Sequence, residues 1–194
     1  MTSADVLILG GGSGGYACAL RSAELGLSVI LIDKDKLGGT CLHRGCIPTK
    51  ALLHAAEVAD SSRESENFGV VSTFEGIDMP KVNEYRDGVV ARLYKGLQGL
   101  IKSRNVTFVE GAGTLVDSQT IEVDGVKYTG KNVVLATGSC AKSIPGLEIS
   151  GSIMTSDQAL NLDYVPKSVI VLGGGVIGVE FASVWKSFGA DVTI

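Results

Sequence analysis

The chain has 194 residues, of which 45% are apolar and 20% charged, so it can bury a substantial core in one domain or somewhat more. Its net charge is −4 with acidic and basic residues interspersed, so no basic patch indicates nucleic acid as a partner, and small molecules are favoured instead. No apolar run approaches the roughly 20 residues of a transmembrane helix, because glycines or charges interrupt each one, and no membrane insertion is expected.

The first predicted elements form a βαβ unit. The apolar pattern predicts a strand at residues 6–9, a helix at 15–25 and a second strand at 28–32. Neither a basic region nor a long apolar stretch precedes the first strand, so no secretion signal is predicted. A cytoplasmic location is therefore expected.

The turn between the first strand and the helix, GGGSGG (10–15), fits the pattern G-x-G-x-x-G, and Asp33 stands at the tip of the second strand. Glycines at positions 10 and 12 permit a pyrophosphate to approach the helix N-terminus, whose N–H groups and dipole favour negative charge. Asp33 can accept hydrogen bonds from ribose hydroxyls. The same glycines can serve only to pack a helix on a strand, but the ordered strand, helix, strand and acidic residue favour dinucleotide binding.

The middle of the chain combines two helices with several short strands. Alanine and leucine at helical spacing predict helices at 48–63 and 82–104, joined by a polar connection. Short strands separated by turn residues follow in 106–139, which predicts a small antiparallel excursion before a buried strand at 132–136. The polar stretch from 145 to 166 is predicted to connect two domains.

After Pro166 the opening pattern returns. A strand is predicted at 168–172, a second G-x-G-x-x-G in GGGVIG (173–178), a helix at 176–188 and a strand at 191–194. One such half-unit cannot cover both faces of its own sheet, so the chain is expected to be the N-terminal part of a longer protein. We predict a Rossmann-like α/β domain at 1–148, a connection at 149–167 and the start of a second Rossmann-like domain at 168–194.

Two of the four cysteines lie close together in GGTCLHRGCIPTK (38–50). Cys41 and Cys46 are five positions apart, which on a regular helix is about 7.5 Å of rise and beyond the reach of a disulfide. A bridge would therefore need irregular backbone, which Gly45 permits. Pro48 suits the first turn of a helix, so Cys46 is predicted at a helix start, where the dipole favours its thiolate. An accessible, strained bridge there would be easily reduced.

A metal site is the alternative for this segment, with His43 and His54 as further ligands beside the two cysteines. No second cysteine pair completes a tetrahedral set, so no metal is expected. The remaining cysteines, Cys18 and Cys140, are predicted to be small buried residues, with Cys140 partly exposed after its glycine-serine turn.

Four segments together resemble a known family: GGGSGGYACALRSAELG, GGTCLHRGCIPTKALLHAAE, VVLATGS and GGGVIGVEFASVWKSFGADVTI. The combination resembles the flavoprotein disulfide reductases, and IPTKALL after the second cysteine is closer to the dihydrolipoyl dehydrogenases than to the glutathione or mercuric reductases. The chain departs from the usual pattern at His43 and Arg44, where Asn-Val is common, and at Asp33, where Glu is more common.

The resemblance implies FAD in the first domain and NAD in the second. Asp33 would contact the adenosine ribose, and the backbone at Ala112 and Gly113 the adenine. The full set implied for FAD is Gly10, Gly12, Ser13, Gly14, Gly15, Asp33, Lys34, Gly39, Thr40, Lys50, Ala112, Gly113, Ala136, Thr137, Gly138 and Asp157. The set implied for the NAD pyrophosphate is Gly173, Gly175 and Gly178.

The resemblance also implies a redox disulfide between Cys41 and Cys46. Cys41 would exchange with dihydrolipoamide, Cys46 would lie against the flavin, and Lys50 would sit near flavin N5 and pair with Glu180. Electrons would pass from dihydrolipoamide, or from a lipoyl domain of a 2-oxo acid dehydrogenase or glycine cleavage complex, through FAD to NAD+. The full-length protein is expected to be a homodimer.

Two other hypotheses stay open beside this one. In one, the chain is a non-catalytic FAD-binding module that only holds the flavin; in the other, it is a zinc-binding redox sensor. The family also uses a histidine-glutamate acid-base pair from a C-terminal domain, and neither His43 nor His54 is assigned that role. The chain by itself is therefore expected to turn over little or not at all.

Overall fold

The computed structural model describes residues 2–194. It contains two compact units that interleave along the chain. The first comprises Met1–His43 and Ala91–Lys142, and the second comprises Arg44–Val90 and Ser143–Ile194. The predicted domain boundaries, after residues 148 and 167, instead divide the chain into consecutive segments. These boundaries stay a prediction.

The first unit is built on a six-stranded sheet in the order β3-β2-β1-β6-β5-β4. Strands β3, β2, β1 and β6 are parallel, whereas β5 and β4 are antiparallel. This arrangement confirms the predicted parallel sheet with a small antiparallel excursion. The strands are β1 (Thr2–Leu9), β2 (Val29–Asp33), β3 (Thr107–Glu110), β4 (Thr114–Asp117), β5 (Thr120–Val123) and β6 (Val126–Leu135), and the helices that begin in this unit are α1 (Ser13–Glu24) and α2 (Gly39–Arg44).

The central strand β1 is buried on both faces. Val6, Leu7 and Ile8 follow each other and are all buried. Val6 and Ile8 belong to a cluster with Ala19 of α1, and Leu7 belongs to a cluster with Ile121 of β5. A strand covered on both sides needs apolar residues at successive positions, and this explains why the sequence shows an unbroken apolar run rather than an alternating one.

The prediction of a buried strand at residues 132–136 was wrong in its burial. Residues 132–135 form the end of the longer strand β6, in which Val133 and Val134 are half-buried and Leu135 is 59% exposed. The main neighbours of β6 are β1 and β5, to which it is paired edge to edge, so its faces keep more contact with solvent than those of β1. Apolar composition alone overestimated the burial.

The second unit contains most of the remaining helices and a short parallel pair of strands. Its core is formed by apolar residues of α3 and α6, among them Leu52, Ala56, Val184 and Trp185. The elements are α3 (Cys46–Arg63), a 3-10 turn (Ser65–Phe68), the start of α4 (Met79–Ser103), α5 (Ser156–Ala159), β7 (Ser168–Ile170), α6 (Val176–Phe188) and β8 (Asp191–Thr193).

Several local expectations differ from the structure. Helix α2 was not predicted, and the supposed connection at 145–166 contains the short helix α5, which begins with a capping box between Thr155 and Gln158. Cys18 is half-buried and not buried as predicted, and Cys140, which was predicted to be partly exposed, is exposed. No helix within residues 2–194 combines the length and the apolar character that crossing a bilayer demands.

A polar cluster joins the start of β1 to β6 and to the residue before β2. The Lys131 ammonium donates to Asp5 Oδ1 at 2.7 Å, and the Ser28 hydroxyl and N–H donate to Asp5 Oδ2 at 2.7 and 2.9 Å. These bonds, the one from Lys131 first, hold the pKa of Asp5 well below its ordinary value, and Asp5 in turn raises the pKa of Lys131.

This cluster predicts a pH-dependent effect of Asp5→Asn. Because the folded-state pKa of Asp5 is lowered, its ionised form stabilises the fold above the unfolded-state pKa of about 3.9, and that contribution is lost as the pH falls below it. We expect Asp5→Asn to lower the urea midpoint near neutral pH and to differ less from wild type in acid. Added salt should shrink the neutral-pH difference, because Lys131 is exposed. A difference independent of pH would contradict this account.

Candidate functional site

The first glycine-rich turn has a backbone that only glycine adopts easily. Gly10 has φ +108°, and the carbonyl group of Ala136 occupies the place of its missing Cβ. A Cβ on Gly15 would overlap the carbonyl oxygen of Gly10, so α1 packs directly on the end of β1. Gly12 is the N-cap of α1, with φ −69° and ψ −173°, and no side chain caps the helix. The first N–H groups of α1 are therefore left for another acceptor.

The outer side of this turn is open. A Cβ on Gly14 would meet no atom within 4 Å, and one on Gly12 would meet only Cα of Gly39, at 3.8 Å. Ser13 and Gly14 are exposed. Contacts within the protein explain Gly10 and Gly15 but neither Gly12 nor Gly14. A missing side chain at Gly12, the second glycine of the pattern, is what the close approach of a bound pyrophosphate requires.

Asp33 lies at the tip of β2, where its carboxylate contacts the glycine-rich turn. Its Oδ2 accepts a hydrogen bond from the N–H of Gly11, and its Oδ1 accepts one from the N–H of Asp35 at 2.9 Å. Asp33 therefore braces the turn, which sequence reasoning did not foresee. Each carboxylate oxygen can still accept a further bond, so the predicted contact with a ribose is compatible with this bracing. Lys34, next to it, is exposed.

The glycine pair before α2 packs against the same turn. The N–H of Gly38 donates to the carbonyl of Gly11 at 2.8 Å, and a Cβ on Gly39 would collide with the backbone of Gly12. Both glycines have positive φ, +112° and +58°. Thr40 is exposed and Cys41 is half-buried at the start of α2. Sequence reasoning missed Gly38, although two consecutive glycines before a helix were a signal for such a close approach.

The other implied FAD residues of this unit lie along one edge of the sheet. The N–H of Ala136 donates to the carbonyl of Leu9 at 2.7 Å, which continues the pairing of β6 with β1 past its last residue. In the same way, the N–H of Gly111 donates to the carbonyl of Asp33 at 2.8 Å. Ala112, Gly113, Ala136, Thr137 and Gly138 thus follow the carboxyl ends of parallel strands, which is the edge where open α/β sheets bind their ligands.

The second glycine-rich turn repeats the first one in the second unit. Gly173 has φ +106°, and a Cβ on Gly178 would overlap the carbonyl oxygen of Gly173. Gly175 is the N-cap of α6, with φ −73° and ψ 170° and no side-chain cap. Positions 173, 174 and 175 have no atom within 4 Å of an added Cβ. The two turns therefore share the positive φ of the first glycine, the extended N-cap glycine and the close packing of the last glycine.

Cys46 is the first residue of α3 and is exposed. Gly45 interrupts the helical path between α2 and α3, with φ −140° and ψ −116°, as the spacing of the cysteines predicted. Thr49 secures this start, because its hydroxyl donates to the carbonyl of Gly45 at 2.7 Å. The thiol thus stands where the N–H groups of a helix start favour negative charge.

Lys50 lies one helical turn after Cys46 and pairs with Glu180 of α6. Lys50 Nζ donates to Glu180 Oε1, so the predicted pair is present. Glu180 is the more shielded partner, with 21% of its side chain exposed. The proximity of this pair to a flavin stays a prediction. Asp157 is half-buried in α5 of the same unit, and its carbonyl accepts a hydrogen bond from the side chain of Asn161 at 2.7 Å.

The two histidines have local partners. His43 Nε2 lies 2.8 Å from the carbonyl oxygen of Leu37, and its ring meets that of Tyr94 edge to face at 5.1 Å. His54 Nδ1 lies 3.2 Å from Glu57 on the same helix. Across residues 2–194 no group of three or more His, Cys, Asp or Glu side chains is arranged to hold a metal ion.

Comparison with known proteins gives consistent matches along nearly the whole chain. The family model described as pyridine nucleotide-disulphide oxidoreductase matches residues 4–194. The dihydrolipoyl dehydrogenase of Bacillus subtilis (strain 168) is 42% identical over 207 residues, which include 100% of this chain and 44% of that protein. The dihydrolipoyl dehydrogenase of Acholeplasma laidlawii is 42% identical over 196 residues, with 98% and 58% covered.

Among solved structures, the HOCl-induced flavoprotein disulfide reductase RclA from Escherichia coli superimposes with a TM-score of 0.81 at 29% identity, covering 98% of this chain and 41% of that chain. The chain spans about half the length of the curated relatives it matches. Since the family model covers all but the first three residues, the chain belongs to the pyridine nucleotide-disulphide oxidoreductase family.

Proposed function

We propose that this chain provides the flavin-binding and thiol-bearing part of a flavin-dependent disulfide oxidoreductase that oxidises dihydrolipoamide and reduces NAD+. The observation that carries the proposal is the exposed Cys46 at the first position of α3, one helical turn before the Lys50–Glu180 pair. Dihydrolipoyl dehydrogenases at 42% identity support the choice of substrate.

The first unit fits FAD. A dinucleotide needs a turn that leaves N–H groups at a helix start and space for a pyrophosphate, and the turn from Gly10 to Gly15 offers both. Asp33 stands beside it with spare acceptor capacity. When bound, FAD would supply an acceptor for an electron pair and pass it on as a hydride to the nicotinamide. The second turn, at Gly173, Gly175 and Gly178, fits the NAD pyrophosphate in the same way.

Cys41 and Cys46 would perform thiol-disulfide exchange. A dihydrolipoamide thiolate attacks Cys41 Sγ, the Cys41–Cys46 bond breaks, and Cys46 leaves as a thiolate. The second substrate thiol, after losing its proton to a base, then attacks the mixed disulfide and releases lipoamide and the Cys41 thiolate. The substrate dithiol is thereby oxidised and one protein disulfide is reduced.

The start of α3 suits Cys46 for the role of the leaving thiolate. Negative charge on its sulfur is stabilised by the N-terminal N–H groups of the helix, and the ammonium of Lys50 lies one turn further along. Glu180 holds that ammonium in place from the neighbouring helix α6. We therefore expect the stability of the reduced form, with its Cys46 thiolate, to depend on three side chains: Cys46, Lys50 and Glu180.

The physiological setting follows from the substrate proposed. The full-length protein would be a cytoplasmic homodimer that accepts electrons from free dihydrolipoamide or from a lipoyl domain of a 2-oxo acid dehydrogenase or glycine cleavage complex. The relatives named dihydrolipoyl dehydrogenase support this setting.

Anaerobic titration tests the proposal. The purified full-length protein is loaded with FAD and then reduced with dihydrolipoamide, first without and then with NAD+. We expect a long-wavelength absorbance from a thiolate beside the flavin, and reduction of NAD+ when it is added. Flavin binding without reduction by dihydrolipoamide would support the non-catalytic FAD-binding module instead, and failure to bind FAD would contradict both.

A further inference from the structure

Helices α3 and α6 of the second unit are tied together near both of their ends. Near their N-termini, Lys50 pairs with Glu180. Near their C-termini, Ser187 Oγ donates to Asp60 Oδ2 at 2.6 Å, and Arg63 Nη1 donates to the carbonyl of Ser187 at 2.6 Å. Since the early residues of one helix pair with the early residues of the other, the two helices run in the same direction.

The second tie consists of Asp60, Arg63 and Ser187, which we name the C-terminal clamp. Arg63 Nη1 also donates to Asp60 Oδ1 at 2.8 Å, so each member of the clamp contacts the other two. The Arg63 guanidinium lies 3.9 Å from the centre of the Phe74 ring, and this contact restricts its orientation. Arg63 thus binds the backbone carbonyl of Ser187, and this carbonyl cannot move unless α6 itself moves.

Directional bonds at this position fix how far α3 can slide along α6. The contact between the two helices is otherwise apolar, through residues such as Leu52, Ala56 and Trp185. Apolar contacts set the distance between helices but depend little on direction. A shift by one residue is about 1.5 Å along the axis, enough to break hydrogen bonds of 2.6 Å.

We propose that the C-terminal clamp positions Cys46 and Lys50 for thiol chemistry. By fixing the axial register of α3 on α6, it keeps Lys50 opposite Glu180, and so keeps the cation one turn from the Cys46 thiol. Asp60 is ten residues after Lys50, or about 15 Å along the helix, so the clamp acts through the helix and not by contact. The inference rests on the proposed function, because it takes Cys46 as the reactive thiol.

The test measures the reactivity of Cys46 directly. Full-length protein is reduced, freed of reductant and treated with iodoacetamide from pH 6 to pH 9, and the alkylation rate of each cysteine is followed by peptide mass spectrometry. We expect Asp60→Ala to slow alkylation of Cys46 at neutral pH about threefold or more and to shift its pH profile. Cys140, which is exposed, provides an internal reference and should react at an unchanged rate.

The matched control and the double variant separate positioning from stability. Glu57→Ala removes an acidic residue of α3 that pairs with His54 on the same helix, so it should leave the Cys46 profile unchanged. Glu180→Ala should reproduce the effect of Asp60→Ala, and the combination should add little, because both act through Lys50. An additive combination would overturn the proposal.

Further variants keep the inference testable if Asp60→Ala does not fold. Ser187→Ala removes only the hydroxyl bond and should give a smaller shift in the same direction, while Arg63→Lys keeps the charge but loses the planar fork. A lower melting temperature with a wild-type Cys46 profile would show that the clamp is only structural. Because the measurement needs neither dihydrolipoamide nor NAD+, a failure of the proposed function would appear separately, in the anaerobic titration.

Discussion

Replacing Cys46 by serine is expected to abolish dihydrolipoamide-dependent reduction of NAD+ by the full-length protein, with a loss of about 10⁴-fold or more in turnover rate. The proposed exchange requires that residue 46 leave as a stable anion from a bond to Cys41. Serine cannot form that bond, and its hydroxyl is far less acidic than a thiol, so neither half of the exchange can proceed. The exposed position at the first turn of α3 makes the substitution structurally mild.

The controls for this prediction lie in the same chain. Cys41→Ser should cause a loss of similar size, because both sulfurs belong to the same bond. Cys140→Ser, which replaces the other exposed cysteine, should leave turnover unchanged. FAD affinity should be the same in all three variants, because none of them alters the glycine-rich turn. Turnover above a tenth of wild type in Cys46→Ser would refute the role given to this residue.

Adding a single methyl group at Gly15 is expected to destabilise the chain by about 3 kcal/mol. The Cβ of an alanine there would overlap the carbonyl oxygen of Gly10, and this obstacle is backbone, not a flexible side chain. Relief therefore requires α1 to move away from the end of β1, where Val6 and Ile8 pack against Ala19. Urea unfolding of the Gly15→Ala variant measures the loss.

The neighbouring glycine supplies the matched control. A Cβ on Gly14 meets no protein atom within 4 Å, so Gly14→Ala should leave stability unchanged or raise it by up to about 1 kcal/mol. The same variant should nevertheless weaken FAD binding, because the open side of the turn is where the pyrophosphate is proposed to lie. Equal losses of stability in the two variants would contradict the packing argument, and unchanged FAD affinity in Gly14→Ala would contradict the proposed site.

The second glycine-rich turn also contains one glycine packed against backbone and one with open space around it. Gly178→Ala should be destabilising, because its Cβ would overlap the carbonyl oxygen of Gly173, whereas Gly174→Ala has open space around it. Agreement between the two pairs would show that both turns use their last glycine for packing.

Local features of the site could be predicted from the sequence because they depend on a few consecutive residues. The two glycine-rich turns, the break at Gly45 and the helix start at Cys46 are of this kind. Their backbone conformations follow from which residues tolerate positive φ, a missing side chain or a first helical turn. The strands could be predicted as well, since their apolar runs are short and end at turn residues.

The pairing of Lys50 with Glu180 could be predicted only through the resemblance to known proteins, since 130 positions separate the two residues. Neither the C-terminal clamp nor the bracing of Gly11 by Asp33 could be predicted at all, and the burial of β6 was overestimated. The sequence by itself determined the turns, the helix starts and most of the strands, because neighbouring residues limit the backbone directly. Only the tertiary structure decided which distant side chains meet, because that depends on how the helices and strands pack.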